Sequence, residues 1–313
     1  MGKIPIVIII GPTAVGKTKI SLNIAKQLSG EIISADSMQI YKYMDIGTAK
    51  PTKGERQGIT HHLIDIVKPD GSFNVSLFQE YAHKTISQIH NRGNLPIVVG
   101  GTGLYVHSLL HPLSFGEAGE DMSFREEITK KLKHKGREWL HGQLSLVDKE
   151  TANRLHPNDV RRVIRALEVH KITGKPMSKG YNHTPDQNSK YSITLIGLTM
   201  ARNKLYDLIN KRVDIMLNQG LVEEVRWLVE NGYDSGLISM QGLGYKEIVQ
   251  YLNGKRTLSE AIYILKRSTR RFAKRQYTWF RRLDNIDWLH VDEFNEEREL
   301  TEFIYNKIQR IQS

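Results

Sequence analysis

The residues Gly11-Pro12-Thr13-Ala14-Val15-Gly16-Lys17-Thr18 fit the spacing G-x-x-x-x-G-K-S/T and lie between an apolar β-branched run and a helical segment. In that context the glycines let the backbone curl so that successive N–H groups converge. The helix start adds positive partial charge, and Lys17 adds a full one. All of these residues are candidates for holding a pyrophosphate, and the Thr18 hydroxyl can hold a magnesium ion. Such loops most often serve nucleotide-dependent kinases and NTPases, yet no apolar strand here delivers an aspartate in the setting those enzymes use. Asp36 and Asp65 are the carboxylates near strand ends. Asp36 falls just past the second predicted strand, so it projects over the carboxyl edge of the sheet beside the loop. It is either a reacting carboxylate or the cap of the following turn, and position alone does not choose.

Further constellations surround this loop. Gly100-Gly101-Thr102-Gly103-Leu104-Tyr105 follows another buried strand and opens a helix. It is either a plain tight connection or a second place where backbone and a hydroxyl approach a ligand. Adjacent histidines, His61 and His62, point in different directions and lack a third ligand, so they read as loop or substrate-shaping residues rather than a metal site. Between Lys255 and Arg282 stand ten Lys or Arg and one acid, Glu260, with Tyr277, Trp279 and Phe280 interleaved. That imbalance exceeds an ordinary solvated face and makes Lys266, Arg267, Arg270, Arg271, Lys274 and Arg275 candidates for nucleic-acid or pyrophosphate contact. Arg161, Arg162 and Arg165 enrich one side of another helix in guanidinium, either as a second basic patch or as structural ion pairs.

The elements that must position these residues alternate. Ile4–Ile10 is an apolar run of the kind buried on both faces of a parallel sheet. A helix follows from about Lys17 to Ser29, then a strand at Glu31–Ser34, an apolar stretch at Leu63–Ile66, a helix at Ser76–Arg92 and a strand at Pro96–Val99. This order predicts an α/β core, a parallel sheet flanked by helices with its site on the carboxyl edge. From 116 to 190 the β-branched runs vanish. Amphipathic segments at Ser123–Lys135, Arg137–Val147 and Asp159–Thr173 predict an inserted helical domain. Residues 1–115 and 191–313 then form the core. A strand is expected at Tyr191–Leu198, helices at Arg202–Gln219, Leu221–Asn231 and Leu258–Leu283, and a last strand at Ile286–Val291.

Composition narrows the classes. With no cysteine there is no disulfide, thiol nucleophile or thiolate zinc site. The run Ile4–Ile10 is too short to span a bilayer and lacks a signal's cleavage site, so a cytoplasmic protein is expected. A formal charge of +11 favours a polyanionic partner. Neither heptads nor a long apolar surface run argues for assembly, so a monomer is expected.

Taken together the segments resemble the tRNA dimethylallyltransferase family, also called tRNA isopentenyltransferases. The resemblance runs through Gly11–Thr18, Asp36-Ser37-Met38-Gln39-Ile40-Tyr41, Asp45–Pro51, His61–Asp65 and Gly100–Tyr105. It continues through Arg161-Arg162-Val163-Ile164-Arg165-Ala166-Leu167-Glu168, Gln241-Gly242-Leu243-Gly244-Tyr245-Lys246-Glu247 and Thr269–Arg281. It implies a P-loop NTPase-like core whose loop holds dimethylallyl pyrophosphate instead of ATP. The implied reaction is transfer of the dimethylallyl group to N6 of the adenosine 3′ of the anticodon, adenosine 37. By the same resemblance Asp36 takes the N6 proton, Thr102 orients the acceptor, and Lys17, Arg212 and magnesium on Thr18 stabilise the leaving pyrophosphate. Ser37, Met38 and Gln39 line the adenine pocket. Arg161, Arg162, Val163, Ile164 and Arg165, Gln241, Gly242, Leu243, Gly244, Tyr245 and Lys246, and Arg270, Lys274 and Arg275 contact the tRNA. The insertion grips the anticodon stem-loop, whose adenosine must be flipped out at a cost of roughly a few kcal/mol. Gly242 stands where the family pattern carries alanine, and the zinc finger of eukaryotic members is absent, which points to a bacterial-type enzyme. Two alternatives remain: prenylation of free AMP or ADP, and a P-loop small-molecule kinase or nucleotide-dependent RNA-binding protein.

Overall fold

The computed structural model describes residues 2–111, 119–180 and 190–312. In chain order it contains β1 (Ile4–Ile10), α1 (Lys17–Gln27), β2 (Gly30–Ser34), β3 (His61–His62), α2 (Val75–Asn91), β4 (Leu95–Gly100) and α3 (Gly103–Leu110). Next come α4 (Met122–Val147), α5 (Lys149–Arg154), α6 (Val160–Thr173) and α7 (Met177–Gly180). The chain finishes with β5 (Tyr191–Thr199), α8 (Arg202–Asn218), α9 (Leu221–Glu230), α10 (Tyr245–Leu252), α11 (Leu258–Phe280), β6 (Asp287–His290) and α12 (Glu297–Gln312). Two compact units emerge, Met1–Leu109 with Asn188–Ser313, and Leu110–Gln187. The expected domain boundary at 115/116 lies outside the described residues.

A strand made only of Ile, Val and Pro has no solvent side, and β1 accordingly sits inside a six-stranded sheet of order β3-β2-β4-β1-β5-β6. Every pairing is parallel. Val7 and Ile9 join Ile20 and Ile24 of α1, Ile209 of α8 and Ile304 and Ile308 of α12 in one core. The pleat turns Ile6 and Ile8 to the opposite face, the side alternation that a strand's two-residue period requires. Helix α2 packs on β1, β2 and β4. Crossovers between parallel strands bring every strand-to-helix turn to one edge, so Gly11, Asp36 and Gly101 follow β1, β2 and β4 on neighbouring strands.

The expected apolar stretch Leu63–Ile66 is no strand. His61 and His62 themselves pair with Ile32 and Ile33, and the chain then turns at Leu63 (φ 59°) and Asp65 (φ 58°). Left-handed backbone at two positions breaks any ladder. Instead, the N–H groups of Asp65 and Ile66 donate to the carbonyls of Gln39 and Ile40. Helices α10 and α12 were not anticipated from the sequence, although Leu300, Ile304 and Ile308 show the spacing that buries one face of α12.

In the unit Leu110–Gln187, Ile128, Leu140 and Leu144 of α4 pack with Val163, Ala166 and Leu167 of α6. Gly136 (φ 81°) interrupts α4 between the two expected segments Ser123–Lys135 and Arg137–Val147. Glu168 is fully buried in this unit and is held by Arg125 at 2.8 Å and Arg165 at 2.6 Å, with the Asp121 N–H donating at 2.9 Å. A buried carboxylate left unpaired is costly, so both guanidiniums are structural partners.

Candidate active site

The phosphate loop leaves β1 at Gly11, whose φ of 151° and lack of Cβ are both required, since a Cβ there meets the Leu198 carbonyl at 2.5 Å. Ala14 (φ 67°) and Gly16 (φ 97°) complete the curl before α1 begins at Lys17. The Lys17 ammonium folds back onto the loop and donates to the carbonyls of Gly11 at 2.8 Å and Pro12 at 2.7 Å. Burial first, and then the Arg212 guanidinium, push its pKa down to about 7, against the pull of Asp36. Burial also lowers the pKa of Arg212 while Asp36 raises it. Among the described residues neither cation forms an ion pair with a carboxylate, and Arg212 makes no hydrogen bond. Two half-buried cations that feel the Asp36 carboxylate but form no ion pair with it suit a polyanion.

Beside the loop, Asp36 is both things its position allowed. Its Oδ1 accepts from the N–H groups of Met38 at 2.8 Å and Gln39 at 3.4 Å, which caps the turn. No described donor reaches Oδ2, so one carboxylate oxygen is anchored while the other is available. Thr102 is tied to the same turn: its Oγ1 accepts from the Ser37 N–H at 3.0 Å and its hydroxyl donates to Ser37 Oγ at 3.3 Å. The close approach of the two turns needs Gly100, where a Cβ would lie 2.1 Å from the Ala35 carbonyl. Thus Lys17, Asp36, Ser37, Thr102 and Arg212 gather at one edge, and the exposed Thr18 hydroxyl stands at the start of α1.

Other expected contact residues are engaged elsewhere. Gln39 accepts from Ser34 Oγ at 3.0 Å and donates to the carbonyls of Thr48 and Ala49. Tyr245 is wholly buried, its hydroxyl donating to Glu224 at 2.8 Å, and Gly244 is buried beside it. Val163 is fully enclosed in its unit's core and Ile164 packs against that core, so these two side chains offer little to an RNA. On α11, Lys266 pairs with Asp214 at 2.6 Å, and Arg270 donates to Asn210 at 2.5 Å and lies over Tyr206, which fastens the helix to α8. Arg271, Lys274 and Arg275 are exposed, as are Arg161 and Arg162. Gly242 has a local reason to lack a side chain, since a Cβ there stands 2.5 Å from Met38 Cε and 3.1 Å from the Ser239 carbonyl.

Sequence reasoning assigned no role to Glu224 or Gln276. Glu224 accepts from the N–H groups of Asp45 at 2.8 Å, Ile46 at 2.7 Å and Gly47 at 3.0 Å, clamping the segment after the Asp36 turn. Lys50 closes the same segment with Asp45 at 2.6 Å and Asp65 at 2.5 Å. Gln276 had a readable signal, being a polar residue on the apolar stripe Ala273-Gln276-Phe280 of α11. His62 hydrogen-bonds Glu31 at 2.6 Å, a carboxylate also held by Arg92 and Asn94, and so serves the sheet. No cluster suited to a metal occurs among the described residues.

A parallel sheet with a phosphate loop, a carboxylate and a hydroxyl at its carboxyl edge defines a P-loop-type α/β protein. A family model described as IPP transferase matches residues 39–283, and the chain belongs to that family. Among its relatives, a tRNA dimethylallyltransferase of Acetivibrio thermocellus is 54% identical over 295 residues, 94% of each chain. One of Carboxydothermus hydrogenoformans is 50% identical, covering 97% of this chain and 96% of the relative. The crystal structure of a tRNA isopentenylpyrophosphate transferase from Bacillus halodurans aligns with TM-score 0.72 and 46% identity over 99% of this chain and 98% of that one. A eukaryotic dimethylallyltransferase acting on tRNA aligns with TM-score 0.82 and 30% identity over 96% and 80%. The chain is therefore an enzyme of the prenyltransferase class.

Proposed function

We propose that this enzyme transfers a dimethylallyl group from dimethylallyl pyrophosphate to N6 of the adenosine 3′ of the anticodon in tRNA. The observation that carries the reading is the pair Lys17 and Arg212, in no ion pair among the described residues, beside an aspartate with one oxygen that no described donor reaches. An adenine N6 amine is a poor nucleophile because its lone pair is delocalised, so the reaction needs a strong electrophile and a base. As the N6–C1 bond forms, the C1–O bond of the donor breaks and negative charge collects on the leaving diphosphate. Lys17, Arg212 and the loop N–H groups stabilise that charge, while Asp36 Oδ2 takes the N6 proton. Thr102 and Ser37, already joined, hold the acceptor's edge in line. Magnesium held by Thr18 supplies further charge neutralisation on the diphosphate when bound. The acceptor is an extruded base, and exposed cations such as Arg271, Lys274 and Arg275 of α11 bind tRNA phosphates, as do Arg161 and Arg162 in the other unit.

Incubating the protein with tRNA and dimethylallyl pyrophosphate, followed by nucleoside mass analysis, tests this directly. A five-carbon increment on one adenosine per tRNA is expected. Prenylation of free AMP in preference to tRNA, or turnover of ATP without label transfer, overturns it.

A further inference from the structure

The phosphate loop and the acceptor turn are joined by a single side chain. Gln276 on α11 is 6% exposed, and its Oε1 accepts from the Thr13 N–H at 2.9 Å while its Nε2 donates to the Gly101 carbonyl at 2.9 Å. The partners fix which way the amide points, since an N–H can only donate and a carbonyl only accept. Thr13 belongs to the loop that grips the diphosphate, and Gly101 immediately precedes Thr102, which holds the Asp36 turn through Ser37. Gly101 is fitted to this strut, because a Cβ there stands 2.2 Å from Gln276 Nε2. Three residues further along the same helix, the Trp279 ring occupies the space where a Cβ on Gly103 would lie, at 2.4 Å, so α11 is keyed to both ends of that turn.

From this geometry we infer that Gln276 is a positioning residue that sets the donor cradle relative to the acceptor turn, an assignment that rests on the proposed transfer reaction. Its Oε1 engages the Thr13 N–H, so this N–H serves the strut, and diphosphate recognition falls to Lys17, Arg212 and the remaining loop donors. Reaction between two separately bound substrates depends steeply on how well their reacting atoms are aligned, whereas the binding of each depends on its own half of the site. Loss of the strut therefore lowers the rate of the joined complex and leaves each substrate's own affinity nearly intact.

The test compares wild type, Gln276→Met and Gln276→Glu in single-turnover transfer to tRNA, with binding of tRNA and of dimethylallyl pyrophosphate measured separately. Gln276→Met keeps the volume and removes both hydrogen bonds, and the expected result is a fall of about tenfold or more in the transfer rate with under about threefold change in either dissociation constant. Gln276→Glu keeps the acceptor for Thr13 and loses the donor to Gly101. Its rate is expected to fall too, but its carboxylate on the anion-binding loop also weakens diphosphate binding, so Gln276→Leu, read by the same criterion as the methionine variant, decides the matter if that variant does not fold. In a double-mutant cycle Gly101→Ala and Gln276→Met are expected to be non-additive, because they damage one contact. Unchanged rates in the folded methionine or leucine variant, or a rate loss there matched by an equal loss of diphosphate affinity, overturn the assignment. A wild-type control that shows no transfer at all counts against the proposed function instead.

Discussion

The carboxyl edge of the sheet has two halves that treat charge in opposite ways. Around Lys17 and Arg212 the cations have no carboxylate partner among the described residues, and burial holds both below their ordinary pKa. In the neighbouring segment Asp45–Lys50 every charge is answered: Lys50 by Asp45 and Asp65, Glu224 by three backbone N–H groups and the Tyr245 hydroxyl. Internally balanced charge makes a permanent wall, whereas unbalanced charge is a cradle completed by the ligand. Asp36 lies beside the cradle, with Oδ1 capping its own turn and Oδ2 reached by no described donor, the oxygen that the proposed reaction uses.

The sharpest way to break that division is Asp36→Asn. The amide oxygen can still accept from Met38 and Gln39, so the turn stays capped, but the group that replaces Oδ2 cannot take a proton. Turnover is expected to fall by about a hundredfold or more with tRNA binding retained, as expected on loss of a general base. Equal loss of binding and rate would assign Asp36 wholly to the wall. On the balanced side, Glu224→Ala strands three N–H groups and a buried hydroxyl. Unfolding free energy from denaturant titration should drop by about 1–3 kcal/mol. In the cradle, Lys17→Met removes a cation whose burial is costly together with the donor to the Gly11 and Pro12 carbonyls, so the two effects offset and stability should change by less than in Glu224→Ala.

Lys17 also gives the cradle a pH signature. Its folded pKa of about 7 lies below the unfolded value of 10.5, so its charge costs stability below pH 7 and that cost fades as pH rises toward 10.5. A bound diphosphate reverses the balance and draws the ammonium back. Calorimetry in buffers of different ionisation enthalpy should then show uptake of about one proton per diphosphate bound at pH 8.5 and about a tenth at pH 6, relative to Lys17→Met. Equal uptake in the variant would place the titrating group elsewhere.

How far the sequence revealed this division follows from the range of the interactions. The β-branched runs gave the buried strands because burial on both faces leaves a local pattern, and the loop declared itself through glycines that only its backbone conformation requires. The wall was opaque for the opposite reason: Glu224 reaches Gly47 across a long stretch of chain and nothing near it announces its partner, and although Gln276 stands out on an apolar stripe, its partner Thr13 is equally remote. His61-His62 looked like loop residues because a two-residue strand has no periodicity to read, and the apolar neighbours Leu63–Ile66 drew the strand assignment to themselves. Charge runs misled in the same way, since Lys266 and Arg270 read as candidate nucleic-acid contacts until their acceptors on α8 were located, whereas Arg165 meets Glu168 one turn along its own helix, the ion pair that its spacing left open.

That last point separates the arginines of α6 and yields the smallest effects. Arg161 and Arg162 are exposed, and Arg162 meets Asp159 only at 3.4 Å with most of its side chain in solvent. Arg165 is bound to the buried Glu168 at 2.6 Å and to the Gly119 carbonyl at 3.1 Å. If the exposed pair binds phosphate, Arg161→Ala and Arg162→Ala should each weaken tRNA binding a few-fold, with the slope of log K against log salt reduced by roughly 0.7 for each charge and thermal stability unchanged. Arg165→Ala should do the reverse, lowering the melting temperature of the protein because Glu168 loses a partner, while its salt slope stays close to wild type. A reduced slope for Arg165→Ala without loss of stability would move that residue from the structural to the RNA-binding group.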